Sequence, residues 1–413
     1  MAAEKRAGAA LRVRAYTLTT ALGAGCAPAL EALRRGRSGL ALSRFETVEF
    51  ESPLGEVQGL DARPLPADFA AFDCRNNRLA RFALGQDGFE DAVRAAVARH
   101  GPSRVGVFLG TSTSGVLASE VAYRQRDPAT GALPRDHDYR HTHNVYSLGD
   151  FVRRWFGLSG PAYVVSTACS SSAKVFGSAQ RMIACGLIDA AIVGGVDSFC
   201  LTTIYGFQSL QLLSPRPCRP YDRERDGISL GEGAAFALLE PAAPGKSGPG
   251  EMYFTGFGES CDAHQFSSPH PQGRGARIAM EEALRRAGLA PADIDYVNLH
   301  GTATPSNDAA EDQAVRAVLG TTVPCSSTKG HTGHTLGAAG AVEAAIAMLA
   351  LESSTAFGGT GTREIDPDLR CNYLLANLER PIRHAISNSF GFGGSNCSLV
   401  FSRTPVPARR TDP

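Results

Sequence analysis

The 413-residue sequence predicts an α/β fold made of two related halves. Three observations lead there. Strand-like and helix-like segments alternate along the chain. The stretch from 162 to 195 reads strand, helix, strand. Two motifs of the first half return, altered, in the second.

In chain order, "RVGVFLG" (104–110) is a short apolar run bounded by Gly, the pattern of a buried strand. "AYVVST" (162–167) and "DAAIVGG" (189–195) are two more. Between these two, Val175, Phe176, Ala179, Met182 and Ile183 fall on one helical stripe. "PAAPGKSGPG" (241–250) has no apolar periodicity and reads as a linker. It separates an N-terminal half, 1–245, from a C-terminal half, 246–413. The second half offers the strands "DYVNLHG" (295–301) and "TVPCSST" (322–328), the helix "LGAAGAVEAAIAMLAL" (336–351), and a final strand pair from "RHAISNS" and "NCSLVFS". "FLGTSTSG" (108–115) is echoed by "NLHGTATP" (298–305). "STACSSSAK" is echoed by "VPCSSTKGHTGH".

Composition narrows the function. The chain is 43% hydrophobic and 20% charged, a globular balance, with 41 basic and 41 acidic residues. A net charge of zero gives no bulk attraction to nucleic acid or to an acidic membrane. Ten cysteines form no CxxC pair, which argues against a zinc ribbon or a thioredoxin-type site. Reduced thiols and a cytoplasmic location are expected. "TLTTALGAGC" (17–26) fails as a lipoprotein signal because Arg12 and Arg14 interrupt its apolar core. No long apolar run stands out as a membrane span.

The chemistry concentrates on four loops. Cys169 follows a strand and precedes a helix expected to begin at 170–173. Helix N–H groups there favour a thiolate, and Ser170, Ser171 and Ser172 suit the cap. A lowered thiol pKa is therefore expected. His300, with Thr302 and Thr304, closes one strand. Lys329 and His334 enter the Gly/Ala helix. Only four lysines stand among the 41 basic residues, so Lys329 suggests a site needing a compact ammonium. "NSFGFGGSN" (388–396) can aim backbone N–H groups at an oxyanion, with Phe390 and Phe392 as an apolar wall.

Taken together, "STACSSS", "HGTATPSND", "SSTKGHTGHTLGAAGAVE" and "NSFGFGGSN" resemble the β-ketoacyl-acyl-carrier-protein synthases, in their elongating Cys-His-His class. The resemblance runs from about residue 12 to 402 and keeps the family's motif order. It implies the thiolase fold, five layers αβαβα in two duplicated halves. It implies a decarboxylative Claisen condensation between a cysteine-bound acyl chain and malonyl carrier protein, in fatty acid or polyketide synthesis. Cys169 would be the nucleophile, His300 and His334 would hold the malonyl thioester carbonyl, and Lys329 would organise the site. Asp308 and Glu311 match family acids near that lysine. The N–H groups of Cys169 and Phe392 would form the oxyanion hole. Thr302 and Thr304 would touch the phosphopantetheine arm. Thr113 would line the acyl tunnel, and Phe390 and Phe392 the substrate pocket. Arg75 and Arg78, with Arg81, would meet an acidic carrier. Asn298, Glu343, Ser387 and Asn388 match a monovalent-cation site, for Na+ or K+. No organic cofactor is implied. The partners implied are acyl carrier protein, acyl and malonyl thioesters, and a second subunit, either identical or a related chain.

Other readings compete. A thiolase needs a second catalytic cysteine in a C-terminal Cys-Gly-x-Gly, where this chain has "GFGGSNCS". The synthase III type pairs His with Asn. A chain-length factor lacks the nucleophile, which is present here, so a heterodimer would make this chain its active member. A cysteine hydrolase lacks a motif placing an orienting Asp or Asn.

Overall fold

The predicted strands form, and one sheet contains them all. A computed structural model describes residues 10–43, 45–242, 248 and 250–405. In it β1 (Leu11–Thr20), β2 (Val105–Gly110), β3 (Ala162–Val165), β4 (Ala190–Asp197) and β5 (Gly233–Pro241) precede the linker. After it come β6 (Met252–Cys261), β7 (Tyr296–Asn298), β8 (Pro324–Ser326), β9 (Asn372–Tyr373), β10 (His384–Gly391) and β11 (Ser395–Ser402). The boundary at 245/246 lies outside the described residues.

Strand order carries the duplication. The sheet runs β9-β8-β7-β10-β11-β6-β1-β5-β4-β2-β3, with Gly23–Ala24 as a further short strand beside β1. Read from the outside in, β3-β2-β4-β5-β1 has the same pattern as β8-β7-β10-β11-β6. In each set the three outer strands are parallel and the next two antiparallel. Thus β2 corresponds to β7 and β3 to β8. That is why their C-terminal loops echo each other in sequence. Among the described residues, the two sets are joined strand to strand where Leu11–Val13 of β1 pairs with Met252–Phe254 of β6.

Five layers result. Helices α1 (Arg75–Leu84), α2 (Phe89–His100) and α3 (Tyr146–Trp155) cover the outer face of the first set. Helices α4 (Ser171–Ala184) and α8 (Ala339–Ser353) lie between the two sets and pack on strands of both. Helices α5 (Arg274–Ala287) and α6 (Pro305–Leu319) cover the second set, and the one-turn α7 (Lys329–Thr332) leads into α8. Strand alternation sorts the core accordingly. Ala385, Cys397, Leu399 and Phe401 face the middle layer, whereas Ile386 and Val400 face the outer one.

Apart from Glu343, helix α8 is apolar around its circumference through Leu351, as suits a central helix. Every residue from Ala339 to Leu351 is buried. The segment Leu336–Ser353 is long and apolar enough to cross a membrane, a feature the sequence reading passed over. It is 89% buried inside the protein, as a core helix is. Small residues let it approach α4: a Cβ on Gly340 would stand 2.5 Å from the amide nitrogen of Ala173. This approach brings the starts of α4 and α8, each preceded by a chemical loop, side by side.

Candidate active site

The thiol sits on a strained turn. Ala168 has φ +51, a conformation uncommon for a residue with a Cβ. Two serines of the Ser-rich run hold it. Ser171 Oγ accepts from Thr167 N–H at 2.9 Å and donates to the carbonyl of Ala168. Ser170 Oγ donates to the carbonyl of Thr167 at 2.9 Å. Neither Ser170 nor any other side chain caps α4, contrary to the sequence expectation. The hydroxyls instead fix Cys169 just ahead of the first helical turn.

Three chemical side chains converge from opposite halves. Cys169 Sγ lies 3.0 Å from Nε2 of His334. The reactive atoms of Cys169, His300 and His334 fall within 4.8 Å of one another, and all three residues are buried. The two imidazoles meet edge to face, centroids 5.4 Å apart. Lys329 Nζ is 3.3 Å from Nδ1 of His300 and also donates to the His300 carbonyl and to Glu343 Oε1. An ammonium only donates, so Nδ1 of His300 accepts and its Nε2 carries the hydrogen.

Burial sets the electrostatics. It holds both histidines well below the ordinary imidazole range, with the Lys329 charge adding to the effect. Both rings are therefore neutral. Burial also pushes the Cys169 thiol up to about 11, against the opposing pull of Lys329 and of the Phe392 N–H that donates to the sulfur. The expectation of a lowered pKa is thus corrected. Exclusion of water outweighs the nearby positive charge, and the sulfur rests as a thiol against Nε2 of His334.

The supporting acids divide differently from expectation. Glu343, not Asp308 or Glu311, is the carboxylate on Lys329. Burial pushes Glu343 up to about 7. Glu311 instead accepts from the backbone N–H groups of His300 and Gly301, both at 2.8 Å. Asp308 accepts from Thr302 N–H at 3.0 Å and Tyr221 N–H at 2.9 Å. Both acids shape the His300 loop from α6.

A cavity opens over the sulfur. Cys169, His300, His334, Thr302, Thr304, Phe390 and Phe392 line it, and the two threonine hydroxyls are 2.9 Å apart. The sequence reading missed Phe207 and Phe266 at this cavity. Their signal was weak, since each lies in a segment without a motif. Phe207 packs against Phe392 at 5.8 Å, and Phe266 is 82% exposed.

Three expectations need correction. Thr113 does not line the cavity: its buried hydroxyl donates to Asp197 at 2.7 Å. Arg75 is buried and forms a fork with Glu232 at 2.7 and 2.8 Å, with Asp61 and Glu56 beside it. It offers no charge to a carrier. Arg78 is likewise forked onto Asp73 at 2.6 and 2.7 Å, and Arg81 lies over Trp155. Sequence shows a cation but not the carboxylates that the fold folds against it.

The cation residues fall on two faces of β10. Asn388 turns outward, with its side chain engaged by Glu311 and Ser398. Ser387 turns inward, and Asn298 pairs with it across β7 and β10. Ser387 Oγ and Glu343 Oε2 are buried oxygens without a hydrogen-bond partner. Such oxygens suit a hard monovalent ion, and Asn388 could reach it only through its backbone.

Comparison with known proteins follows the geometry. Residues 79–244 match the family described as beta-ketoacyl synthase, N-terminal domain, and residues 253–358 its C-terminal domain. The chain is 33% identical to 3-oxoacyl-[acyl-carrier-protein] synthase 2 of Vibrio cholerae, over 90% of this chain and 94% of that relative. It is 40% identical to the mitochondrial 3-oxoacyl-[acyl-carrier-protein] synthase of Arabidopsis thaliana, over 60% of this chain and 57% of that one. Among solved structures it resembles a ketosynthase in complex with its chain length factor from Xenorhabdus doucetiae. There the TM-score is 0.85 and the identity 37%, over 95% of this chain and 98% of the other.

Proposed function

The chain belongs to the β-ketoacyl synthase family, and from that premise we propose that it is a cytoplasmic enzyme condensing a cysteine-bound acyl chain with malonyl carrier protein. The product is a 3-oxoacyl carrier protein and CO2. The observation that carries this reading is the 3.0 Å contact of Cys169 with His334, beside a second neutral histidine held by Lys329.

Two half-reactions share the site. In the first, the Cys169 proton passes to His334. The sulfur then attacks the acyl thioester, and the carrier leaves as a thiol that takes the proton back. In the second, the bond between the malonyl carboxylate and its α-carbon breaks and CO2 departs. The enolate oxygen is held by Nε2–H of His300 together with His334, which takes its Nε2–H tautomer once the thiol is acylated and no longer donates to it. The enolate carbon attacks the acyl-cysteine carbonyl, whose oxygen is held by the N–H groups of Cys169 and Phe392, and the thiolate leaves. Thr302 and Thr304 hold the phosphopantetheine arm along the cavity. This sequence of steps uses no organic cofactor. A monovalent cation, with Asn298, Glu343 and Ser387 as ligands, would balance the second oxygen of Glu343 and has a structural role only.

The experiment is incubation with malonyl carrier protein and a panel of acyl carriers, followed by intact mass of the carrier-bound products. A 3-oxoacyl product two carbons longer than the primer is expected. Absence of any such product across the panel would overturn the reading. Likeness to a ketosynthase in complex with its chain length factor favours a heterodimeric version in which this chain is the active member. A product formed only after a related subunit is added would distinguish it from the homodimer.

A further inference from the structure

Asp197 ends β4 and is fully buried, and among the described residues no cation pairs with it. Six donors surround its carboxylate instead. Oδ1 accepts from Thr111 Oγ1 at 2.6 Å, Ser112 N–H at 2.9 Å, Thr113 N–H at 2.9 Å and Thr113 Oγ1 at 2.7 Å. Oδ2 accepts from Ser112 N–H at 3.1 Å, Ser112 Oγ at 2.6 Å and Gly337 N–H. The first five donor groups close β2. The last lies three residues beyond His334.

We propose that Asp197 is a positioning residue of the condensing site, holding the turn after His334 against the strand ends beside Cys169. The inference rests on the reading of the site given above. His334 is tied on its upstream side by its own N–H to Ser229 O at 2.7 Å and by Gly231 N–H to its carbonyl at 3.0 Å. Downstream the chain must turn through Leu336 at φ +53, which a β-carbon disfavours. The Gly337 N–H, donated to Asp197 and shared with Ser112 Oγ at 3.1 Å, holds that turn. Four residues later, Ala341 N–H donates to Ser172 Oγ at 2.9 Å, on the helix that follows Cys169. The loop of the base is thus pinned to the half of the molecule that carries the nucleophile.

The pin has no slack. A Cβ on Gly337 would stand 2.7 Å from Oδ2 of Asp197 and 2.7 Å from Ser112 N. It also demands a carboxylate. Oδ1 faces two backbone N–H groups and Oδ2 faces two, counting the shared Ser112 N–H on both sides. An asparagine of the same shape would press its own NH2 against backbone N–H groups in either orientation, and amides cannot turn round as hydroxyls can.

The test uses Asp197→Asn, Gly337→Ala and the double variant. Its readout is the pH profile of Cys169 alkylation by iodoacetamide, mapped by peptide, beside thermal melts. Each single variant is expected to slow alkylation of Cys169 near pH 7 by about tenfold. The profile should move toward that of His334→Ala, while the exposed Cys185 and Cys261 label as before. The double variant should be no slower than either single, because both break one link. In turnover, kcat should fall with the carrier KM unchanged. Folded single variants with the parent profile, or additive losses in the double, would overturn the assignment. Should both singles fail to fold, Ser112→Ala removes one hydroxyl donor to Asp197 and the second acceptor of the Gly337 N–H, and leaves the carboxylate in place. It should shift the profile in the same direction, and an unshifted profile would overturn the assignment. Alkylation needs no carrier, so a parent that alkylates normally but forms no 3-oxoacyl product would sink the functional reading and leave Asp197 in its place.

Discussion

Nε2 of His334 stands 3.0 Å from the sulfur of Cys169, although the two residues are 165 positions apart in the chain. Both groups are neutral at rest. Burial disfavours the anion and pushes the thiol up from its ordinary 9.0 to about 11. A raised acid pKa means less thiolate at any given pH below it. On the proposed mechanism, reactivity near pH 7 is expected to depend on the imidazole beside it.

His334→Ala should accordingly suppress iodoacetamide labelling of Cys169 near neutral pH. Labelling should return only as the pH climbs toward the thiol's own pKa. Rapid neutral-pH labelling in this variant, read by peptide mapping, would show that the thiolate forms without His334.

Lys329 and Glu343 form a buried ion pair, each almost inaccessible to solvent. Removing one member strands the other charge. Lys329→Ala and Glu343→Ala should each cost about 3–5 kcal/mol of stability, and the double variant less than their sum. Lys329→Arg keeps the charge but cannot place a compact ammonium between Nδ1 of His300 and Glu343, so condensation should fall sharply. Urea unfolding measures the first effect and product mass the second. Near-parent turnover in Lys329→Arg would reduce the residue to a charge.

Cys169→Ala should abolish condensation and leave decarboxylation of malonyl carrier protein. Acyl transfer needs a covalent acceptor, whereas CO2 release needs only donors at the enolate oxygen, and His300 and His334 remain. Each histidine donor should contribute about 3 kcal/mol to that step. The measurement is acetyl carrier protein formed from malonyl carrier protein alone. A folded Cys169→Ala with no release above background would break this division of labour.

Arg75→Glu should destabilise the protein by about 3–5 kcal/mol, because it sets a carboxylate against buried Glu232 and removes that residue's cation. The loss should fall equally on carrier-bound and small thioester substrates. A variant with normal melting that lost only carrier-bound substrates would restore Arg75 as a docking residue.

Much of the site was legible because its parts are local. A strand ending in Cys169, a strand ending in His300, and a Lys-Gly-His-Thr-Gly-His run before an apolar helix each declare themselves within about a dozen residues. The sequence alone also set the two-part organisation, since β2 and β7 carry echoing loops. Tertiary structure decided whatever depends on a partner distant in the chain. It assigned Glu343 to Lys329, Glu311 to the His300 backbone, Thr113 to Asp197 and Arg75 to Glu232. It also decided the protonation of the thiol. A helix start beside a lysine reads as electropositive in sequence, but desolvation grows with how many layers cover a group, and only the packed five-layer fold sets that.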